Sequence, residues 1–220
     1  MIDGIRFKVC GLTSLADAMA ADNCGADFLG FILYPKSPRC VALVQAQAIM
    51  SKLPDRRKVA VCVEPTTDEL ARMEQGGFDC FQIHFRPETQ LAVIRGWSER
   101  VGADRLWLAP KLPPGGHVNA DWLPLAETFL LDAFHPNAFG GTGQTGDWSS
   151  FARHREAHPG KTWVLAGGLA PENIAEALRT TGAGFVDVNS GVEAVPGIKD
   201  HAKLKRFVVR LHEARTASRK

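Results

Sequence analysis

Short runs rich in β-branched and aromatic residues alternate along the chain with segments whose apolar positions recur at helical spacing. The runs predict strands over 6–10, 27–33, 58–63, 79–83, 105–109, 128–132, 162–165 and 185–188. Past the last of them, Leu204, Phe207, Val208 and Leu211 stand at i, i+3, i+4 and i+7, which is one apolar stripe of a helix. Ile174, Ala177 and Leu178 begin the same spacing. Helix starts are also marked. Ser14-x-x-Asp17 and Thr66-x-x-Glu69 match capping boxes, in which side chains serve backbone N–H groups that the first turn leaves open. Pro171 fits a first helical position, where the missing N–H costs nothing. Pro113 and Pro114 open a loop ahead of a weak helix around 118–126.

Strict alternation of strands and helices implies a parallel sheet with helices outside it. Eight such units in 220 residues leave about 27.5 residues each, compact beside the roughly 30 of an ordinary crossover unit but feasible. Closure into a single (β/α)₈ barrel removes both sheet edges and accounts for the count stopping at eight. An open doubly wound sheet is the alternative. The loop after the first strand, Gly11-Leu12-Thr13, is not the Gly-x-Gly-x-x-Gly turn that such a sheet uses for dinucleotides. No Ser/Pro/Gly linker divides the chain, so one domain over 1–220 is expected, with a frayed polar tail at 213–220.

Composition narrows the partners. Hydrophobic residues at 45% and charged residues at 23% describe an ordinary globular chain. Lys plus Arg is 26 against 24 for Asp plus Glu, a net of +2, which offers no footprint for nucleic acid or an acidic membrane. The apolar runs, such as Phe28 to Leu33, are too short to span a bilayer. The opening residues show no signal-peptide layout, so a cytoplasmic protein is expected. Five cysteines without a Cys-x-x-Cys pair suit neither a disulfide framework nor a zinc site.

In a barrel the reacting groups stand where strands end and the following loops begin. Reactive residue types collect there. The first strand ends at Cys10, the fourth in Gln82-Ile83-His84 and the sixth at Asp132. The seventh leads into Gly167-Gly168 and the eighth into Ser190-Gly191. Glycines there let backbone N–H groups approach a ligand, and the loops after the seventh and eighth strands of such barrels commonly hold phosphate. Read alone, either glycine pair is also a plain turn. Gln82 and His84 fit equally a substrate contact or a hydrogen-bonded rim pair. Cys24, Cys62 and Cys80 read as inert core, whereas Cys10 closes a strand and precedes a glycine. Asp132 ends an apolar run, where burial needs a partner or a task. A thiol shifted modestly down from its reference pKa of about 8.5 is a usable base, and a carboxyl pushed up by burial keeps a proton to donate. Such an acid–base pair requires no metal and no redox cofactor. A glycine-rich stretch over 135–148, with Phe139 and Trp148, suits a lid that excludes water.

Taken together, the segments resemble the phosphoribosylanthranilate isomerase family of tryptophan biosynthesis. The resemblance rests on Lys8-Val9-Cys10-Gly11-Leu12-Thr13, Gly25-Ala26-Asp27, Tyr34-Pro35-Lys36-Ser37-Pro38-Arg39, Gln82-Ile83-His84 and Leu131-Asp132. It continues through Gly140-Gly141-Thr142-Gly143, Ala166-Gly167-Gly168-Leu169, Pro171-Glu172-Asn173, Ser190-Gly191-Val192-Glu193 and Pro196-Gly197-Ile198-Lys199-Asp200, in order and over nearly the whole chain. It implies a ribulose-phosphate-binding (β/α)₈ barrel and an Amadori rearrangement of N-(5′-phosphoribosyl)anthranilate. Carried over by position, Asp132 would be the general acid and Cys10 the general base. Arg39 would hold the anthranilate carboxylate, and Gln82, His84, Gly141, Gly143, Gly167, Gly168, Ser190 and Gly191 would complete the substrate site. No cofactor and no metal are implied, and the state would be monomer or homodimer.

The chain also departs from the family pattern. Phe85 stands where a Gly usually follows Gln-x-His and would narrow the pocket mouth, and Cys62-Val63-Glu64 replaces Phe-Val-Asn. Gln144 replaces a Lys, Gly146 replaces a Phe and would loosen the lid, and Ala170 replaces a polar residue before Pro171. Two other functions stay open on the sequence. One is a histidine-pathway aminoaldose isomerase, expected to carry Asp in place of Cys10 and to bind two phosphates. The other is a sugar-phosphate-binding barrel without turnover.

Overall fold

The computed structural model describes residues 1–133 and 146–217, with side chains described to 214. Eight parallel strands close into a barrel in chain order: β1 (Arg6–Val9), β2 (Phe28–Ile32), β3 (Arg57–Val63), β4 (Cys80–Phe85), β5 (Leu106–Pro110), β6 (Thr128–Leu131), β7 (Thr162–Leu165) and β8 (Phe185–Val188). β8 pairs with β1, with Lys8 opposite Asp187, so no sheet edge remains. Helices α1 (Leu15–Asn23), α2 (Leu43–Met50), α3 (Thr67–Gln75), α4 (Leu91–Val101), α5 (Trp148–Ala157), α6 (Ile174–Thr181) and α7 (His201–Ala217) join the strands. A 3₁₀ helix, Ala120–Leu125, stands where the weak helix was expected, with Pro124 inside it.

Strand parity makes two cores. Outward residues such as Phe7, Leu29, Phe31, Phe81, Leu108 and Phe129 pack against the helices. Inward residues Phe28, Val59, Val61, Cys80, Trp107, Leu130, Val164 and Phe185 fill the barrel. Phe28, Trp107 and Phe185 form a triangle with ring centroids 5.0–5.3 Å apart. These rings sit at the N-terminal half of their strands and plug that end of the barrel. The open space is therefore left at the C-terminal ends.

Several local expectations meet a different structure. Thr66 and Glu69 form the full reciprocal box, but Ser14 only accepts from the Asp17 N–H. The Asp17 carboxylate is drawn instead to the Lys199 N–H and to His201. Helix α6 starts at Ile174, not at Pro171, because Asn173 takes the cap position and its Oδ1 accepts from the Ala170 N–H. Helix α7 runs to Ala217, past the start of the expected fraying at 213. Trp148 belongs to α5 rather than to a lid. A short hairpin, β9 (Glu193–Val195) with β10 (Ile198–Lys199), follows β8 and was not legible in the pattern.

Candidate active site

The cavity at the C-terminal ends of the strands is lined by Cys10 from β1, Tyr34, Ser37 and Arg39 from the loop after β2, and Gln82 and His84 from β4. Asp132 after β6, Gly167 and Gly168 after β7, and Asp187, Asn189 and Ser190 at the end of β8 complete it. Alternation explains the membership. Cys10 lies two residues after inward Lys8, Gln82 and His84 are two apart, and Asp132 lies two after inward Leu130.

The two residues read as an acid–base pair enter this one cavity from separate strands. Burial pushes the Asp132 carboxyl up to about 6, against the Ala133 N–H that donates to its Oδ1 at 2.8 Å. A carboxyl tuned there holds a proton closer to neutrality than an ordinary aspartate does. Cys10 departs from the expectation. Burial raises its pKa, and the nearby Lys8 charge opposes that rise without reversing it. In the unliganded site Cys10 is a thiol at neutral pH rather than a thiolate.

Gln82 Nε2 and His84 Nε2 are 2.8 Å apart. Burial, followed by the Lys8 charge, pushes His84 down to about 4, so its ring is neutral. Gln82 Oε1 is buried and has no hydrogen-bond partner among the described residues, which leaves an acceptor at the cavity for a donor brought by a ligand. Phe85 does not narrow the mouth. Its outward parity buries it completely between Trp97 and Trp122, at ring distances of 5.8 and 5.1 Å.

Arg39 is buried and held by Glu193. Its Nε donates to Oε1 and Oε2 at 2.9 and 3.1 Å, and its Nη2 to Oε2 at 2.7 Å. Glu193 also accepts from Lys199 Nζ at 3.0 Å and from the Gly197 N–H at 3.2 Å. Burial works against this carboxylate, but Arg39 and Lys199 outweigh it and hold the Glu193 pKa below the ordinary value. The side edge of the guanidinium is thus engaged with Glu193, which leaves its end edge available for another planar acceptor.

The glycine loops require glycine. Gly167 has φ +87°, and a Cβ there would lie 2.3 Å from the Ala133 nitrogen. Gly191 does not line the cavity, but a Cβ on it would lie 1.9 Å from the Leu169 oxygen, so it lets the loops after β7 and β8 touch. Asn173 Nδ2 donates to the Gly168 oxygen at 2.8 Å and fastens the first loop to the start of α6. Gly141 and Gly143 lie outside the described residues. The sequence reading gave no site role to Lys8, Asp187, Glu193 or Lys199. Parity was the available signal for Lys8 and Asp187, each two residues before a cavity residue.

A family model described as N-(5′-phosphoribosyl)anthranilate (PRA) isomerase matches residues 7–210. The chain belongs to this family. It is 40% identical to N-(5′-phosphoribosyl)anthranilate isomerase of Neisseria meningitidis serogroup A over 205 residues, covering 93% of this chain and 95% of that protein. It is 37% identical to the Pseudomonas fluorescens protein of the same name over 212 residues, 94% and 98% of the two chains. The solved phosphoribosyl anthranilate isomerase of Thermus thermophilus superposes with a TM-score of 0.79 at 33% identity, over 98% of this chain and all of that one. A phosphoribosyl anthranilate isomerase solved in complex with reduced 1-(o-carboxyphenylamino)-1-deoxyribulose 5-phosphate superposes with a TM-score of 0.76 at 32% identity, over 94% and 97% of the two chains.

Proposed function

We propose that Cys10 and Asp132 carry the isomerisation that membership of the phosphoribosylanthranilate isomerase family assigns to this chain. The substrate is N-(5′-phosphoribosyl)anthranilate and the product 1-(2-carboxyphenylamino)-1-deoxyribulose 5-phosphate. Asp132 donates its proton to the furanose ring oxygen. The C1–O bond breaks, and the nitrogen lone pair forms the C1=N bond of a Schiff base. Cys10, as thiolate, then removes the C2 proton. An S–H bond forms, the C2–H pair becomes a C1=C2 bond, and the iminium nitrogen regains its lone pair. The enolamine tautomerises to the ketone.

One observation carries this reading: the thiol and the raised carboxyl face the same cavity, beside the Gly167-Gly168 and Ser190 loops. Those loops hold the ribose phosphate through backbone N–H groups. Arg39, kept in place by Glu193, takes the anthranilate carboxylate. The neutral His84 and Gln82 meet the sugar hydroxyls. Gly141 and Gly143, outside the described residues, complete the site on the family pattern.

The test is the loss of phosphoribosylanthranilate fluorescence with purified protein. Cys10→Ala and Asp132→Asn each lower kcat by about 10²–10⁴-fold, the usual worth of a general acid or base, while circular dichroism stays unchanged. Wild-type rates in either variant overturn its role. Rescue of a tryptophan auxotroph lacking the isomerase checks the substrate. No described helix is long and apolar enough to cross a membrane. As a biosynthetic enzyme the chain is read as cytoplasmic, and size-exclusion chromatography decides between monomer and homodimer.

A further inference from the structure

Lys8 is completely buried inside the barrel, where an unpaired ammonium is costly. Its Nζ lies 2.7 Å from Asp187 Oδ2, across the β1–β8 pairing that sets the two residues side by side. The same ammonium lies beside the Cys10 thiol two residues on, both of them bordering Gly30 of β2. Gly30 of β2 makes the arrangement possible. A Cβ at that position would lie 3.0 Å from Lys8 Cε and Nζ and 3.1 Å from Cys10 Sγ, so any larger residue would press on both groups.

We propose that Lys8 is a positioning residue for Cys10: it holds the sulfur toward the cavity and favours its thiolate, with Asp187 as the counterweight that limits how far. The inference rests on the base role given to Cys10 above. Its logic is charge balance. With Lys8 and Asp187 both ionised, the pair is neutral, and ionising Cys10 leaves the cluster at minus one. Without the Lys8 charge the thiolate would face the Asp187 carboxylate alone. Without the Asp187 charge the thiolate would complete a neutral pair with Lys8. Lys8 itself transfers no proton; the thiol proton leaves to water in the open cavity.

The other charged and titratable groups around the sulfur do not replace Lys8. Lys199 acts on Cys10 from β10, more weakly than Lys8 does. Its Nζ is engaged with Glu193 and Asn189. Arg39 is committed to Glu193. His84 on β4 is neutral, and Asp132 after β6 would disfavour a second anion. Burial works against the Lys8 ammonium, but Asp187 and Cys10 more than offset it and hold its pKa above the ordinary lysine value. Lys8 therefore stays charged across the working range.

The experiment is the pH dependence of iodoacetamide alkylation, read on Cys10 by tandem mass spectrometry in the substrate-free protein. Lys8→Met moves the midpoint up by at least about one pH unit, roughly a ten-fold loss of alkylation rate at pH 8. Asp187→Asn moves it down, and Lys8→Arg stays near wild type. The alkaline limb of kcat/KM against pH, which reports the Cys10 ionisation, shifts in the same directions. A merely structural role would move both charge-removing variants the same way or not at all. Unchanged midpoints, or shifts of the same sign, overturn the proposal. Should Lys8→Met fail to fold, Asp187→Asn decides alone, because it preserves shape and an acceptor for Lys8. The two readings fail separately. An active Cys10→Ala would sink the base role while leaving the alkylation shifts intact. An inactive Cys10→Ala with unshifted alkylation would sink only the part given to Lys8.

Discussion

Asp132 shows how one side chain acquires a task from its surroundings. An ordinary aspartate gives up its proton near 3.8, far too early to serve as an acid at neutrality. Burial in the cavity wall raises that to about 6, against the pull of the Ala133 N–H and, behind it, of the Lys8 charge. The acid form is needed for ring opening, so its share falls as pH rises through about 6. Over the same range the Cys10 thiolate, whose thiol titrates higher, still increases with pH, so the expected kcat/KM rises up to about 6 and levels off above it. Asp132→Asn loses most of the rate and also the levelling near that pH, so its residual rate keeps climbing with Cys10 ionisation, and a pH–rate series on both proteins checks it. Cys10 teaches the opposite lesson. Its position at a strand end was readable from spacing, but the direction of its pKa was not, because that depends on burial and on charges brought from β8.

At the scale of elements, the strands were legible because fully buried parallel strands are nearly continuous apolar runs, and their alternation fixed which residues face inward. That is why Cys10, Gln82, His84 and Asp132 could be placed at one mouth before any coordinates. Phe85 was misjudged for the same reason in reverse: it follows His84 by one residue, so it points outward onto Trp97 and Trp122. Contacts between distant segments were not legible. Lys8 meets Asp187 across 179 residues and Arg39 meets Glu193 across 154, and no local pattern announces either. The β9–β10 hairpin exists to deliver Glu193 and Lys199 beneath Arg39. Glu193→Gln is expected to leave two buried cations short of their anion, costing about 3–5 kcal/mol of stability. It should also free Arg39 to swing, raising KM several-fold with kcat nearly held. Denaturant titration and steady-state kinetics on this variant measure both.

Across the whole molecule, a titratable contact far from the cavity ties stability to pH. His154 on α5 donates its Nδ1–H to the Ser150 carbonyl oxygen, 2.7 Å away, and accepts from the Val118 N–H at Nε2, 3.0 Å away. Both bonds together need the neutral ring, and burial lowers its pKa below the ordinary 6.5. The neutral form is therefore what the fold prefers. Its contribution is complete above 6.5 and is lost as pH falls from there through the lower folded value. Melting curves at pH 8 and pH 5 should show the acid loss, and His154→Gln should flatten it. The triangle of Phe28, Trp107 and Phe185 has a wider consequence still. With the base sealed, the described residues leave the cavity open toward the strands' C-terminal ends, so what has been converted leaves by the side on which fresh material arrives. The ketose keeps the same phosphate and the same carboxylate, and it competes for the same berth. Accumulated ketose should slow the enzyme in a strictly competitive manner, with apparent KM climbing and kcat untouched, so steady flux calls for a downstream consumer that keeps the threshold clear.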